Sequence, residues 1–142
     1  NICKRIPGVK LYCCDMWDTL ERKYGKVSTD KAANYFKQAK KRMNGFDAHF
    51  IVGPSMETVK QFEDESLDFV YIDANHEYDF VMQDIIEWSK KVKSGGIVSG
   101  HDYYRTRGMG VVPAVDSYTF AHGITEWYIT DEKEASFFWV KS

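Results

Sequence analysis

The chain has 142 residues, of which 44% are hydrophobic and 15% aromatic, and its formal net charge at pH 7 is -2. That length predicts a single domain, and the apolar content is enough for a buried core, which excludes a disordered chain. The small net charge gives no basis for nucleic-acid binding, and no apolar run approaches the length of a membrane span.

The first part of the chain predicts a strand, a helix and a second strand. Val9–Cys14 is a mainly apolar run closed by Asp15, and the apolar residues over Lys31–Met43 have the spacing of an amphipathic helix. Ala48–Val52 is the second strand, which ends at a glycine and a proline. Three cysteines, two of them adjacent on the first strand, do not make a disulfide framework. We therefore expect reduced thiols and a cytoplasmic location.

The middle of the chain predicts one βαβ unit. The apolar run Phe69–Ile72 is followed by a helical pattern that starts near Tyr78, and Gly95-Gly96 is predicted to end this helix. A second apolar run, Ile97-Val98, completes the unit, because the helix is long enough for a parallel crossover.

Polar residues follow both strands of that unit directly. Asp73 follows the first strand, and His101 and Asp102 follow the second strand. In an open α/β sheet, ligands bind at the carboxyl edge of the strands. The sequence therefore predicts a binding site at this edge.

The last part of the chain predicts a helix over Val111–Phe120 and two further strands. Those strands, Trp127–Ile129 and Phe137–Val140, are expected to pair in the antiparallel sense because their connection is short. The alternation of strands and helices predicts an α/β fold with a doubly wound, mainly parallel sheet and an antiparallel C-terminal strand pair. We expect residues 1–142 to form one domain.

Four segments, taken in order, resemble class I S-adenosylmethionine-dependent methyltransferases. The resemblance is to the small-molecule O-methyltransferases related to the catechol, caffeoyl-CoA and macrocin enzymes. The four segments are VKLYCCD at 9–15, IVGPS at 51–55, DFVYIDANHEY at 68–78 and SGGIVSGHDY at 94–103. The two closing strands resemble the last, antiparallel strands of that family. The resemblance implies a Rossmann-like methyltransferase fold and methyl transfer to a hydroxyl of a small molecule.

The resemblance also implies a set of cofactor-binding residues. Asp15 falls where the family holds the ribose hydroxyls of S-adenosylmethionine, and a carboxylate has the acceptors for both hydroxyls. Met16, Gly53, Ser55 and Met56 fall around the cofactor, Ser55 at a turn beside the adenine. Alternatively, Asp15 is a strand-ending acid on a solvated turn, Ser55 is only a helix cap, and Met56 packs on the core.

Asp73 resembles the family's first metal ligand, and it also falls among the cofactor-binding and catalytic residues of the family. His101-Asp102 falls on the family's Asp-Asn metal pair. Carboxylates suit magnesium, whereas an imidazole favours manganese or zinc, so the sequence leaves open the identity and the presence of a divalent ion. His76 stands where catechol-type relatives place a catalytic lysine, and histidine can take a proton from an acceptor hydroxyl near neutral pH. Alternatively, these side chains shape the pocket floor and the loop.

One part of the family pattern is missing. The first strand of the family ends in a glycine-rich turn under the methionine part of the cofactor, and nothing before Val9 has that form. We therefore expect an N-terminally incomplete sequence, or a first strand supplied in another way, and a gap in the hydrogen-bonded ladder.

The missing turn keeps a second function class open. That alternative is a non-catalytic Rossmann-like module that binds a nucleotide or a partner. A nucleotide-dependent dehydrogenase is less favoured, since the Gly-x-Gly-x-x-Gly signature is absent. The expected partner of the enzyme is a small-molecule acceptor, with no nucleic acid and no membrane. The sequence leaves the oligomeric state open, a homo-oligomer included.

Overall fold

The computed structural model of the protein describes residues 2–17, 29–105 and 109–142. The chain divides into two compact units, Asn1–Thr58 and Val59–Ser142, and each is described by itself. The expectation of one domain over the whole chain stays a prediction. No helix within the described ranges is both long enough and apolar enough to cross a membrane.

The described residues of the first unit form two parallel strands and three helices. Strand β1 pairs with β2 from Leu11 opposite Ala48 to Asp15 opposite Val52, which confirms the two predicted strands. The elements in chain order are α1 (Ile2–Arg5), β1 (Leu11–Asp15), α2 (Thr29–Met43), β2 (Ala48–Val52) and α3 (Ser55–Thr58). The short helix α1 carried no signal in the sequence.

Aromatic packing fastens α2 to this strand pair. The ring of Trp17, just after β1, stacks on Phe36 of α2 with a centroid separation of 4.8 Å. Phe50 of β2 meets both rings edge-on at 5.6 Å. Such pairs stabilise a core by about 0.5–1.5 kcal/mol beyond the area that they bury.

The second unit contains a four-stranded sheet in the order β3-β4-β6-β5. Strands β3 and β4 are parallel, and β6 is antiparallel to both β4 and β5, which confirms the predicted parallel pair and antiparallel end. A 3-10 turn at Val59–Gln61 precedes β3 (Leu67–Ile72), α4 (Tyr78–Lys91), β4 (Val92–Gly100), α5 (Val111–Ala121), β5 (Trp127–Ile129) and β6 (Phe137–Val140). The described strands thus form two separate sheets, β1-β2 and β3-β4-β6-β5.

The predicted role of Gly95-Gly96 was wrong. Helix α4 ends at Lys91, and β4 begins at once and runs through both glycines. Two features show why glycine is needed within the strand: Gly95 has a φ of 79°, and a Cβ on Gly96 would lie 2.7 Å from the carbonyl oxygen of Asp68. The strand register shifts here, since Leu67 pairs with Val92 and Phe69 pairs with Ile97. Glycine permits this bulge as readily as it ends a helix, so sequence alone did not separate the two roles.

The core of the second unit lies where α4 packs against β3, β4 and α5. Ile85 of α4, Val98 of β4 and Val115 of α5 are fully buried. Burying a side chain of this kind contributes about 1.5–3 kcal/mol relative to leaving it exposed. This packing fixes the loops that lead into α4 and into α5, and those loops carry the polar residues of interest.

Candidate functional site

The carboxyl ends of β3 and β4 lie side by side. Ile72 pairs with Gly100, and the N–H of His101 donates a hydrogen bond to the carbonyl oxygen of Ile72 at 3.0 Å. Glycine at position 100 is required by close packing, because a Cβ would lie 2.7 Å from that same oxygen and 2.5 Å from the ring of Phe137. The residues that follow the two strands therefore begin adjacent loops.

Asp102 marks a sharp bend after β4. Its φ is 61°, in the left-handed region that aspartate tolerates better than most residues. The N–H of Tyr104 donates to the Asp102 carbonyl oxygen at 2.8 Å, and the N–H of Tyr103 donates to Ala135 at 2.8 Å. The bend is thus held by the backbone, and it leaves the Asp102 side chain only 12% exposed.

The turn that carries His76 is held from two directions. Asn75 Oδ1 accepts a hydrogen bond from the N–H of Glu77 at 2.8 Å, just before α4 begins. The His76 carbonyl oxygen accepts a hydrogen bond from the N–H of Gly110 at 2.7 Å. The imidazole of His76 therefore projects from an ordered turn.

The Asp102 carboxylate lies between two imidazoles. Asp102 Oδ2 is 3.0 Å from His76 Nε2, and Asp102 Oδ1 is 3.1 Å from His101 Nδ1. Asp73 Oδ1 lies 3.8 Å from His76 Nε2, which is too long for a hydrogen bond. The side chains of His76 and Asp73 are 40% and 52% exposed, so solvent reaches both of them.

Asp73, His76 and Asp102 form the group within the described ranges that could hold a metal ion. One ligand atom from each residue lies within 4.8 Å of the others. This set differs in one member from the predicted set, because His101 is outside it and His76 is inside it. His101 directs Nδ1 to the Asp102 oxygen that does not face His76. A donor set of two carboxylates and one imidazole fits a divalent ion, and it suits manganese or zinc better than magnesium.

The predicted ribose and adenine residues lie in the first unit, at the carboxyl ends of β1 and β2. Asp15 is exposed, and its Oδ1 accepts a hydrogen bond from the N–H of Met16 at 2.6 Å. The N–H of Gly53 donates to the carbonyl oxygen of Asp15 at 3.0 Å, so the two strand ends are joined directly. Ser55 opens α3, and Met56 follows it; both are half-buried.

The sequence did not reveal two residues that brace the loops around the cluster. Asn75 holds the His76 turn, and an asparagine three residues before a helix is a signal for this type of turn. Asp116 of α5 accepts a hydrogen bond from the Tyr103 hydroxyl at 2.7 Å. Burial, followed by the hydrogen bond to Asp116, raises the pKa of Tyr103 to about 12. No local pattern links Tyr103 to a mid-helix acid, so that pair could not be found from sequence.

Comparisons with known proteins agree with this architecture. A family model described as a methyltransferase domain matches residues 2–103. No curated protein gives a significant match.

Solved structures of O-methyltransferases are similar to the chain at low sequence identity. The O-methyltransferase NovP has a TM-score of 0.66 and 16% identity, over 99% of this chain and 63% of that chain. An O-methyltransferase family protein from Burkholderia thailandensis has a TM-score of 0.65 and 12% identity, over 99% of this chain and 46% of that chain. An O-methyltransferase from Bacillus cereus in complex with SAH has a TM-score of 0.57 and 16% identity, over 93% of this chain and 74% of that chain.

These likenesses confirm the predicted Rossmann-like methyltransferase fold. The chain spans less than two thirds of the length of NovP and less than half of the Burkholderia protein.

Proposed function

The chain belongs to the methyltransferase-domain family, and we propose that it transfers a methyl group from S-adenosylmethionine to a hydroxyl group of a small molecule. The observation that carries the hydroxyl assignment is the contact between His76 Nε2 and Asp102 Oδ2 at 3.0 Å. A hydroxyl is a poor nucleophile until its proton begins to leave, and this pair supplies a proton acceptor.

The pairing with Asp102 gives the two nitrogens of His76 different roles. In the neutral ring the nitrogen that faces a carboxylate oxygen carries the proton, and the other nitrogen is the acceptor. Nε2 faces Asp102 Oδ2, so Nδ1 is the proton acceptor. The side chain of His76 is 40% exposed, which leaves the ring accessible to a bound acceptor molecule.

The side chains at the strand ends of the first unit have the chemistry needed to bind the cofactor. The exposed carboxylate of Asp15 suits the two hydroxyls of a ribose, and the half-buried Met16 and Met56 offer apolar surface for the adenine ring. Gly53 and Ser55 complete this set, since a glycine allows the backbone to approach a flat ring closely.

The reaction is an in-line displacement in which positioning matters most. When bound, S-adenosylmethionine would supply a methyl group from its positively charged sulfur and would leave as a neutral thioether. The acceptor oxygen forms the new bond to carbon, and its proton passes to His76 Nδ1. The Asp102 carboxylate stabilises the imidazolium that results. General-base catalysis of this kind contributes about 10²–10⁴ in rate.

A divalent cation at the same cluster is the second candidate for how the acceptor is activated. It is favoured by the closeness of Asp73, His76 and Asp102, whose ligand atoms lie within 4.8 Å of one another. A cation held there would lower the pKa of an acceptor hydroxyl directly, and His76 would then be a ligand and not the base.

Replacement of His76 tests the base. His76→Ala should lower kcat by about a hundredfold or more, while the Kd for S-adenosylmethionine changes by less than about twofold. Transfer of a labelled methyl group to a panel of catechols, sugars and other hydroxylated molecules measures kcat, and calorimetry measures Kd.

His49→Ala is the matched control. His49 Nε2 also contacts a carboxylate, Asp47 Oδ1 at 2.7 Å, but it lies in the first unit. That variant should keep the kcat of the wild-type protein. If His76→Ala also keeps it, His76 is not the base. A protein that binds the cofactor but methylates no acceptor would support the non-catalytic module instead.

A further inference from the structure

We propose that Gly110 is a positioning residue for His76, because it fixes the turn from which the imidazole projects. The inference rests on the proposed function in one respect, namely that His76 is the base. It concerns a residue that lies far from the site in sequence and that precedes α5 directly.

Gly110 is joined to the His76 turn by a short hydrogen bond. Its N–H donates to the carbonyl oxygen of His76 at 2.7 Å. Gly110 is itself buried, so water does not compete easily for this bond. The bond links the backbone of His76 to the residue that directly precedes a different helix, α5.

Glycine is required at this position because there is no room for a side chain. A Cβ on Gly110 would overlap the backbone nitrogen and Cα of Tyr78, and it would lie 2.7 Å from the Tyr78 Cβ. The φ of Gly110 is -99°, which any residue adopts. The constraint is therefore the close approach of two backbones and not a special backbone conformation.

Close packing restrains both helices against a shift that would relieve such an overlap. Helices α4 and α5 pack against each other, and Val111 and Val112 are buried immediately after Gly110. Val81 is buried in the first turn of α4. An added methyl group would instead displace the turn before α4, which holds His76 two residues from Tyr78.

Displacement of that turn would break the contact on which the base depends. His76 Nε2 and Asp102 Oδ2 are 3.0 Å apart, and a shift of about 1 Å removes a hydrogen bond of that length. A misplacement of about 1 Å can lower a rate by about a hundredfold. Gly110 thus acts on the reaction through His76, without touching a reacting atom.

A double-mutant cycle tests this role. Gly110→Ala should lower kcat by about tenfold to a hundredfold in the wild-type background, and it should cause no further loss in His76→Ala. The Kd for S-adenosylmethionine should stay within about twofold. If Gly110→Ala lowers kcat by the same factor in both backgrounds, it damages the fold in general, and the proposal is overturned.

Gly96→Ala is the matched control for steric damage. Its Cβ would also meet backbone, 2.7 Å from the Asp68 carbonyl oxygen, but near the start of β3 and not at the carboxyl edge. It should lower the unfolding midpoint and leave kcat per folded molecule unchanged. An equal loss of kcat in both glycine variants would argue against a specific role of Gly110.

Two further measurements test the role of Gly110 if Gly110→Ala does not fold or if His76→Ala keeps full turnover. An amide-to-ester replacement at Gly110 removes the N–H donor without adding volume, and it should lower kcat by about threefold to tenfold even if Gly110→Ala does not fold. The imidazole ¹⁵N signals of His76, recorded without substrate, should shift in both Gly110 variants. If His76→Ala keeps full turnover, the base proposal fails, and these signals alone then decide the role of Gly110. Unchanged signals would overturn it.

Discussion

The replacement Asp102→Asn removes the charge at the centre of the cluster and changes little else. Asparagine has nearly the same shape and also tolerates the left-handed backbone, so the φ of 61° at this position adds no new strain. The amide keeps one oxygen and replaces the other with an NH₂ group, which cannot accept a hydrogen bond. One of the two histidines, His76 or His101, therefore loses its acceptor.

The expected magnitude follows from the burial of the carboxylate and its two partners. The Asp102 side chain is 12% exposed, and its oxygens lie 3.0 Å from His76 and 3.1 Å from His101. A hydrogen bond to a charged group contributes about 1.5–3 kcal/mol, and a neutral one about 0.5–1.5 kcal/mol. The variant should lose about 1–3 kcal/mol of stability in urea unfolding. A similar loss of imidazolium stabilisation corresponds to a fall in kcat of about tenfold to a hundredfold.

Asp73→Asn is the control for stability. Asp73 is 52% exposed and lies 3.8 Å from His76, so its interaction is screened by solvent. Exposed pairs contribute about 0–1 kcal/mol, and we expect a loss within that range. The reasoning is refuted if Asp102→Asn costs no more stability than Asp73→Asn and keeps the wild-type kcat.

Further predictions concern the cofactor, the cation, the loop after β4 and the cysteines. Asp15→Ala should weaken S-adenosylmethionine binding by about 1.5–3 kcal/mol in calorimetry, and unchanged affinity would contradict the ribose assignment. If the second candidate holds, Mn²⁺ at about a hundredfold excess over its Kd should stabilise the wild-type protein by about 2.7 kcal/mol but should not stabilise Asp73→Ala. The pKa of Tyr103 is raised from 10.0 to about 12, so its hydroxyl holds the proton more tightly in the folded protein than in the unfolded protein. The stability advantage of the wild-type protein over Tyr103→Phe should thus be constant below pH 10 and fall as the pH rises towards 12; a constant difference throughout would contradict it. Burial raises the pKa of Cys14 to about 11, so its alkylation by iodoacetamide at pH 8 should be slow in the native protein, as mass spectrometry would show, and rapid alkylation would contradict it.

The elements that could be predicted from sequence are those that a local pattern determines. The strands Trp127–Ile129 and Phe137–Val140 were predicted with the bounds observed, because two apolar runs and a short connection define them. The role of Gly95-Gly96 could not be predicted, since it depends on the register between β3 and β4.

The candidate site shows the same limit. Strand ends indicated that Asp73 and Asp102 would follow neighbouring strands, and they do. The partner of Asp102 could not be predicted, because it depends on a left-handed φ and on side-chain directions that sequence does not encode locally. The cluster of possible metal ligands therefore contains His76, and not His101 as predicted, beside Asp73 and Asp102.

Asp73 and His76 lie in the loop between β3 and α4, and Asp102 follows β4, so all three belong to one βαβ unit. The chain between them is short and mostly ordered by that unit, so assembling the cluster adds little loop-closure entropy to that of forming the unit itself. The cluster should therefore be part of a single cooperative folding unit, as native-state hydrogen exchange defines such units. The amide of His101, bonded to Ile72, should exchange only when β3 separates from β4. Local opening of the edge strand β5 should leave that amide protected and the cluster intact.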